Sequence, residues 1–357
     1  MALVLKTAQP ARHPDPTVKA QALAYLMFDR PDLDETERFL IDFGLVRALR
    51  TPEALFLRAA ESSAFCYVAL KADKPRFRGL GLRVRSRYDL ERLSGLPGAS
   101  AIEPATWPGG GERVRLKDPS GFEVHAVHGA SPVQPLERRS ALAWNVGGDR
   151  VRVDVPQRPP HAPPEVLKLG HVVLELADYQ RTAGWYTRHF GFIPSDVQLL
   201  PDGAPAVAFM RLDLGSTPAD HHTLALAQGP VDAYSHSAYE VVDADAVGMG
   251  QQVLKERGWS HAWGIGRHLL GSQVFDYWQD PYGAKHEHYT DGDVFTADAP
   301  TGFCPLSRQG MAQWGQEMPK SFAKPKLTVP LVLAALKNVL SGKPSIGRLL
   351  ALARIMF

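Results

Sequence analysis

At 357 residues the chain can hold two ordinary domains, each with its own core. A hydrophobic share of 45% and a charged share of 22% are those of a globular protein, and a net charge of +2 leaves no dominant basic face for nucleic acid. Cys66 and Cys304 are too few for a disulfide scaffold. With neither an apolar run of 18 residues nor a secretory h-region, a cytoplasmic protein without a membrane span is expected.

In chain order, residues 1–18 read as a loose polar arm and 19–150 as a first domain. Residues 151–165, with the run Val155-Pro156-Gln157-Arg158-Pro159-Pro160, read as a stiff linker, since consecutive prolines forbid helix. Residues 166–295 form a second domain and 296–357 an extension. The halves repeat one another. Leu23 to Leu45 parallels Leu169 to Phe192, and Lys117-Asp118-Pro119-Ser120-Gly121-Phe122 parallels Gln279-Asp280-Pro281-Tyr282-Gly283-Ala284, at a period near 147 (Gly191 minus Gly44).

The second half repeats a smaller plan within itself. A strand beginning at His171 leads into a helix from Asp178 to Phe190, and a strand beginning at His236 leads into a helix from Asp243 to Arg257, with Asp178 and Asp243 as N-caps. Further strands are predicted over 206–214, 223–226, 273–278 and 284–289, bounded by Pro and Gly turns. The expected fold is α+β: repeated βαβββ modules, paired into two domains, each a curled mixed sheet around a cavity, with a helical C-terminal tail. In that tail Leu327 to Leu340 and Ile346 to Phe357 have helical apolar spacing. They are expected to pack on the body or on a neighbouring subunit, a membrane surface being the rival partner.

The chemistry lies in the second half. His171 and His236 head equivalent strands, so pseudo-symmetry brings both imidazoles to matching places in the cavity. Alternation along the last strand turns Glu287 inward and His286 and His288 outward. Separations of 65 and 51 residues link the three. Two histidines and one carboxylate on one face of a metal leave the other face open, as non-haem Fe(II) oxygenases require. A lone histidine at a strand head is ordinarily structural; joint placement on equivalent strands is what points to a metal. The first half offers Tyr25, Gly79 and His125 at the matching positions, which cannot form the set.

These residues resemble the extradiol ring-cleavage dioxygenases of the vicinal oxygen chelate (glyoxalase/bleomycin-resistance) superfamily, similar to catechol 2,3- and 2,3-dihydroxybiphenyl dioxygenases. The likeness covers roughly 20–295. It implies Fe(II), or Mn(II), on His171, His236 and Glu287, with a catechol and O2 as substrates and a ring-opened semialdehyde or keto acid as product. It further implies His222 as the acid/base, His268 as a substrate-pocket histidine and Tyr277 as a hydrogen-bonding tyrosine. Of the adjacent pair His221 and His222 only one can face the cavity, and the match favours His222. A homo-oligomer and a hydrophobic catechol are expected. The alternatives are an isomerase or thiol transferase on the same scaffold, which generally draws four ligands, and a metal-free small-molecule binding protein.

Overall fold

The structure, a computed structural model, describes residues 10–323 and 328–356. Residues 1–9 of the arm, and Leu327 and Phe357 at the ends of the expected tail helices, lie outside the described residues.

Each half is built from two βαβββ units joined through their first strands. In the first half Ala22–Arg30 pairs antiparallel with Arg76–Arg83, giving an eight-stranded sheet. In the second, Val166–Leu176 pairs antiparallel with Ala233–Val241 within a ten-stranded sheet. In every unit the first strand runs parallel to the last, so both sheets are mixed. The α+β class and the paired modules are as expected. The first strands are longer than expected: His171 and His236 sit mid-strand rather than at the head, because pairing along the seam extends both strands towards their N-termini.

Local chemistry starts the helices. Asp32 caps Leu33–Asp42 by accepting from the Asp34 and Glu35 amides, and Ser86 with Asp89 forms a capping box on Arg87–Ser94. Asp243 caps Ala244–Glu256 as expected. Asp178 occupies the N-cap position of Tyr179–Phe190 as expected, but its side chain makes no capping bond: its backbone is not extended, and its carboxylate pairs with Lys343 at 3.0 Å. Residues 10–18 are tied to the second half. The Thr17 and Val18 amides donate to the carbonyls of Arg188 and His189, and Arg12 pairs with Asp213 at 3.1 Å. Residues 129–165 contain no helix or strand beyond a Val146–Asp149 bridge.

One continuous apolar core spans both halves, joining Phe28, Phe39 and Phe43 to Val172, Leu174 and Tyr239. His286 and His288 face this core, not solvent: His286 packs beside Phe39 and Phe43, and His288 Nε2 donates to the Phe43 carbonyl at 2.7 Å. The duplicated Asp-Pro turns reach across to the opposite half. Asp280 pairs with Arg30 at 2.7 Å, and Asp118 accepts from the Tyr186 hydroxyl at 3.0 Å. Each fully buried Leu or Phe contributes about 1.5–3 kcal/mol, whereas a buried ion pair is near neutral against its desolvation. The shared core therefore holds the halves together, and the polar contacts set their alignment.

The extension completes the second sheet. Gly302–Pro305 adds to one edge, beside Ile193–Leu199, and Ala312–Gly315 to the other, beside Ser260–His268. Seven residue steps separate Pro305 from Ala312, a reach of at most about 25 Å, so the sheet is curled until its edges approach.

Burial pushes the Asp118 carboxyl up to about 6, against the opposing pull of the Tyr186 hydroxyl and the Phe122 and Ser120 amides. The folded protein thus holds this proton more tightly than the unfolded chain, whose Asp titrates near ~4. The Asp118 contribution to stability is full below about pH 4 and falls as pH rises to about 6, by up to ~1.4 kcal/mol per unit. Urea unfolding across that window will show the extra slope in the wild type and its loss in Asp118→Asn.

Candidate metal centre

Strand register builds the site. His171 lies opposite Ala238, Ala238 opposite Glu287, and Glu287 opposite Tyr277, so these four form one row across adjacent strands on the concave face. His236, two residues before Ala238, shares that face. Ala238 adds only a methyl group to the row, leaving room above it. The donor atoms of His171, His236 and Glu287 all lie within 4.8 Å of one another, with His171 Nε2 and His236 Nε2 at 3.3 and 3.5 Å from Glu287 Oε2.

Glu287 is fully buried, and neither carboxylate oxygen has a hydrogen-bond partner. Burial by itself would raise its carboxyl. The imidazoles of His171 and His268 outweigh burial and keep it well below the ordinary value. A buried carboxylate without donors costs several kcal/mol unless a cation compensates it. A divalent metal between the three donors supplies that compensation, so the residues present fit one. Burial, opposed by Glu287, holds His236 well below the usual imidazole range, leaving it neutral as a ligand must be.

Behind the ligands runs a hydrogen-bonded chain. Asp196 Oδ2 lies 2.8 Å from His221 Nε2, and His221 Nδ1 lies 2.9 Å from His222 Nδ1. In the tautomer where a neutral His221 donates from Nε2–H to Asp196, His221 Nδ1 accepts from His222 Nδ1–H, and His222 Nε2 is left as an acceptor. Burial, then the neighbouring His171 and His221, holds His222 well below the ordinary imidazole range. A second chain fixes His268: Nδ1 donates to the Met311 carbonyl at 2.9 Å, and Nε2 accepts from the Tyr277 hydroxyl at 2.9 Å.

These groups border a cavity of about 160 Å³, lined by His171, His222, His236, His268 and Tyr277. Its outer wall comes from the extension: Met311, Met318, Phe322 and Met356. Phe322 packs edge-on to Tyr277 at 4.9 Å, and Lys285 Nζ donates to the Phe322 carbonyl at 3.1 Å. In the first half the corresponding row is occupied by a tyrosine. By register Tyr25, Gly81 and His125 take the places of His171, Ala238 and Glu287, with Gly79 in the place of His236. The Tyr25 ring lies across the seam, where a Cβ on Gly81 would come within 2.6 Å of it, and its hydroxyl bonds His125 Nδ1 at 3.0 Å.

Residues 168–287 match the Glyoxalase/Bleomycin resistance protein/Dioxygenase superfamily. Among curated proteins the chain is 29% identical over 335 residues to metapyrocatechase 2 of Cupriavidus necator, covering 89% of this chain and 96% of that one. It is 26% identical over 295 residues to an iron-dependent extradiol dioxygenase of Rhodococcus jostii, covering 76% and 89%. The fold matches homoprotocatechuate 2,3-dioxygenase of Brevibacterium fuscum at a TM-score of 0.71 and 19% identity, over 88% of this chain and 94% of that one. It also matches an Mn(II)-bound glyoxalase of Novosphingobium aromaticivorans at 0.71 and 22% identity, over 87% and 97%.

Of the six residues singled out from the sequence, His171, His222, His236, His268 and Tyr277 border the one cavity, and Glu287 lies against His171 and His236. Not anticipated were Asp196 and His221, which set the His222 tautomer, and Met311, Met318, Phe322 and Met356. The adjacency of His221 and His222 is a signal for the first pair. Nothing local marks the others, because their role depends on where the extension lies. Glu287→Gln removes the only anionic donor of the set while keeping its size. Elemental analysis of the purified variant is expected to show metal content reduced at least about tenfold relative to wild type, with an unchanged circular dichroism spectrum.

Proposed function

We propose that the protein is a metal-dependent extradiol dioxygenase that opens a catechol ring with O2. The observation carrying this reading is the ligand set. Among the described residues the cluster has three members, His171, His236 and Glu287, and not the four expected of an isomerase, and His222 borders the same cavity. The names of the two curated relatives agree with it. We assign Fe(II) to the three ligands, with Mn(II) as a substitute, since ligand type suits both. When bound, such a metal supplies a coordination face open to both a chelating catechol and O2.

The chain's own residues then do the rest. His222 Nε2, held as an acceptor by His221 and Asp196, takes the proton of a catechol hydroxyl and returns it as the ring opens. Tyr277, protonated because burial and the nearby Glu287 hold its hydroxyl well above the ordinary value, donates its one proton to His268 Nε2 and leaves its oxygen to accept from a substrate hydroxyl. His268 orients it. Met311, Met318 and Phe322 exclude water and present an apolar wall. A cavity of about 160 Å³ favours a single ring with a small apolar substituent over a biphenyl. The two free cysteines agree with a cytoplasmic address, and the exposed Val46 and Leu49 on the edge strand Val46–Arg50 offer a surface for homo-oligomer formation.

The test is to mix iron-loaded protein with 3-methylcatechol or 2,3-dihydroxybiphenyl in air, following visible absorbance and O2. A yellow product with one O2 consumed per ring is expected, with kcat/KM for the smaller catechol higher by about tenfold or more. Absence of both signals from iron-replete protein would refute the reading. Asp196→Asn is expected to retain its metal and to lose about 10–100-fold in kcat, the usual cost of misdirecting a positioned imidazole.

A further inference from the structure

The last forty residues, 318–357, contain five lysines and two arginines and no Asp or Glu. They carry +7 in a chain of net charge +2, which leaves −5 on the preceding 317 residues. Within them, helix Val329–Leu340 turns an apolar stripe to solvent: Val329, Leu333, Leu336 and Leu340 are 74%, 61%, 54% and 87% exposed. Their spacing of four, three and four residues places them on one face. The helix is held from its other side, where Asn338 Nδ2 donates to the Pro230 carbonyl at 3.1 Å. The final helix, Ile346–Met356, packs Ala351, Leu352 and Ile355 against Leu200, Ala206 and Leu306, and leaves Ile346 and Leu350 exposed.

A contiguous stripe of exposed Val and Leu on a helix calls for a partner. A second copy meeting it about a two-fold axis would set two basic segments against each other, since such an interface buries the same patch from both chains. An anionic bilayer satisfies both features at once, taking apolar side chains at the headgroup boundary and attracting the basic ones. At 1.5 Å per residue the 12-residue helix is about 18 Å long, well short of the ~30 Å hydrocarbon core, so it can lie on a bilayer but not cross it.

We propose that the 328–356 segment seats this protein on an anionic lipid surface through the Val329/Leu333/Leu336/Leu340 stripe and the surrounding basic residues. The same extension supplies Met318, Phe322 and Met356 to the cavity wall. A ring substrate partitioned into lipid would thereby be concentrated beside the site, a consequence that rests on the dioxygenase reading, whereas the docking itself does not.

The experiment is co-sedimentation of the full chain, without catechol, with phosphatidylcholine vesicles and with phosphatidylcholine/phosphatidylglycerol vesicles. Binding to the anionic vesicles is expected to be stronger by about tenfold or more and to weaken as salt rises. In Leu333→Ser/Leu336→Ser/Leu340→Ser, whose sites are exposed and whose melting temperature should match wild type, the anionic binding falls by at least about tenfold. Failure of the wild type to bind anionic vesicles at low salt overturns the proposal, as does undiminished binding by the triple variant. A lipid-free assembly whose mass by light scattering drops in the triple variant also overturns it, since a second copy would then cover the stripe.

Discussion

The antiparallel seam between Val166–Leu176 and Ala233–Val241 is the constraint from which the site follows. It sets His171 opposite Ala238, and the parallel strand beyond sets Ala238 opposite Glu287. A slip of one residue would turn every side chain of a strand to the other face. That slip is opposed from behind, where Val172, Leu174 and Tyr239 are buried in the core shared with the first half. Each such residue is worth about 1.5–3 kcal/mol, so together they outweigh the several kcal/mol that a buried Glu287 carboxylate costs without its cation. The energy that holds the ligands in place is therefore spent on the face of the sheet that takes no part in the chemistry.

The first half shows the same seam put to another use. Tyr25 lies over Gly81 and bonds His125, and Phe56, Phe65 and Trp107 pack around it, so the row that holds His171, Ala238 and Glu287 in the second half is covered here by a tyrosine ring. Its contribution to the second half is made from its other side. The helix Leu33–Asp42 and Phe43 pack against His286 and His288, the residues flanking Glu287, and the Phe43 carbonyl fixes His288. The first half thus clamps the strand that carries the carboxylate without approaching the metal ligands.

The extension plays a different part. By pairing with both edges of the ten-stranded sheet it straps the curl closed, and in crossing between them it delivers the Met311 carbonyl that sets the His268 tautomer. Lys285, two residues before Glu287, holds the Phe322 carbonyl, which ties the cavity wall to the strand bearing the carboxylate. A polar scaffold inside and an apolar cover outside come from segments far apart in the chain.

Much of this was legible in the residues themselves. Duplication could be read because each βαβββ unit repeats its own hydrophobic period and its Asp-Pro turn, and Glu287 could be told from His286 and His288 because strand alternation is a local rule. The candidate ligand set followed from that periodicity applied to equivalent strands, and the candidates His222, His268 and Tyr277 from likeness to a family. Tertiary structure decided the rest. That the Asp178 side chain pairs with Lys343 and makes no capping bond, that Asp196 reaches His221 to orient His222, and that Phe322 and three methionines wall the cavity are all contacts between residues at least 25 positions apart, or between a residue and the fold around it. Sequence carries periodicity along one strand or helix. Which distant carboxylate meets which imidazole depends on sheet curl and on the path of the extension, and those are settled only when the whole core is packed.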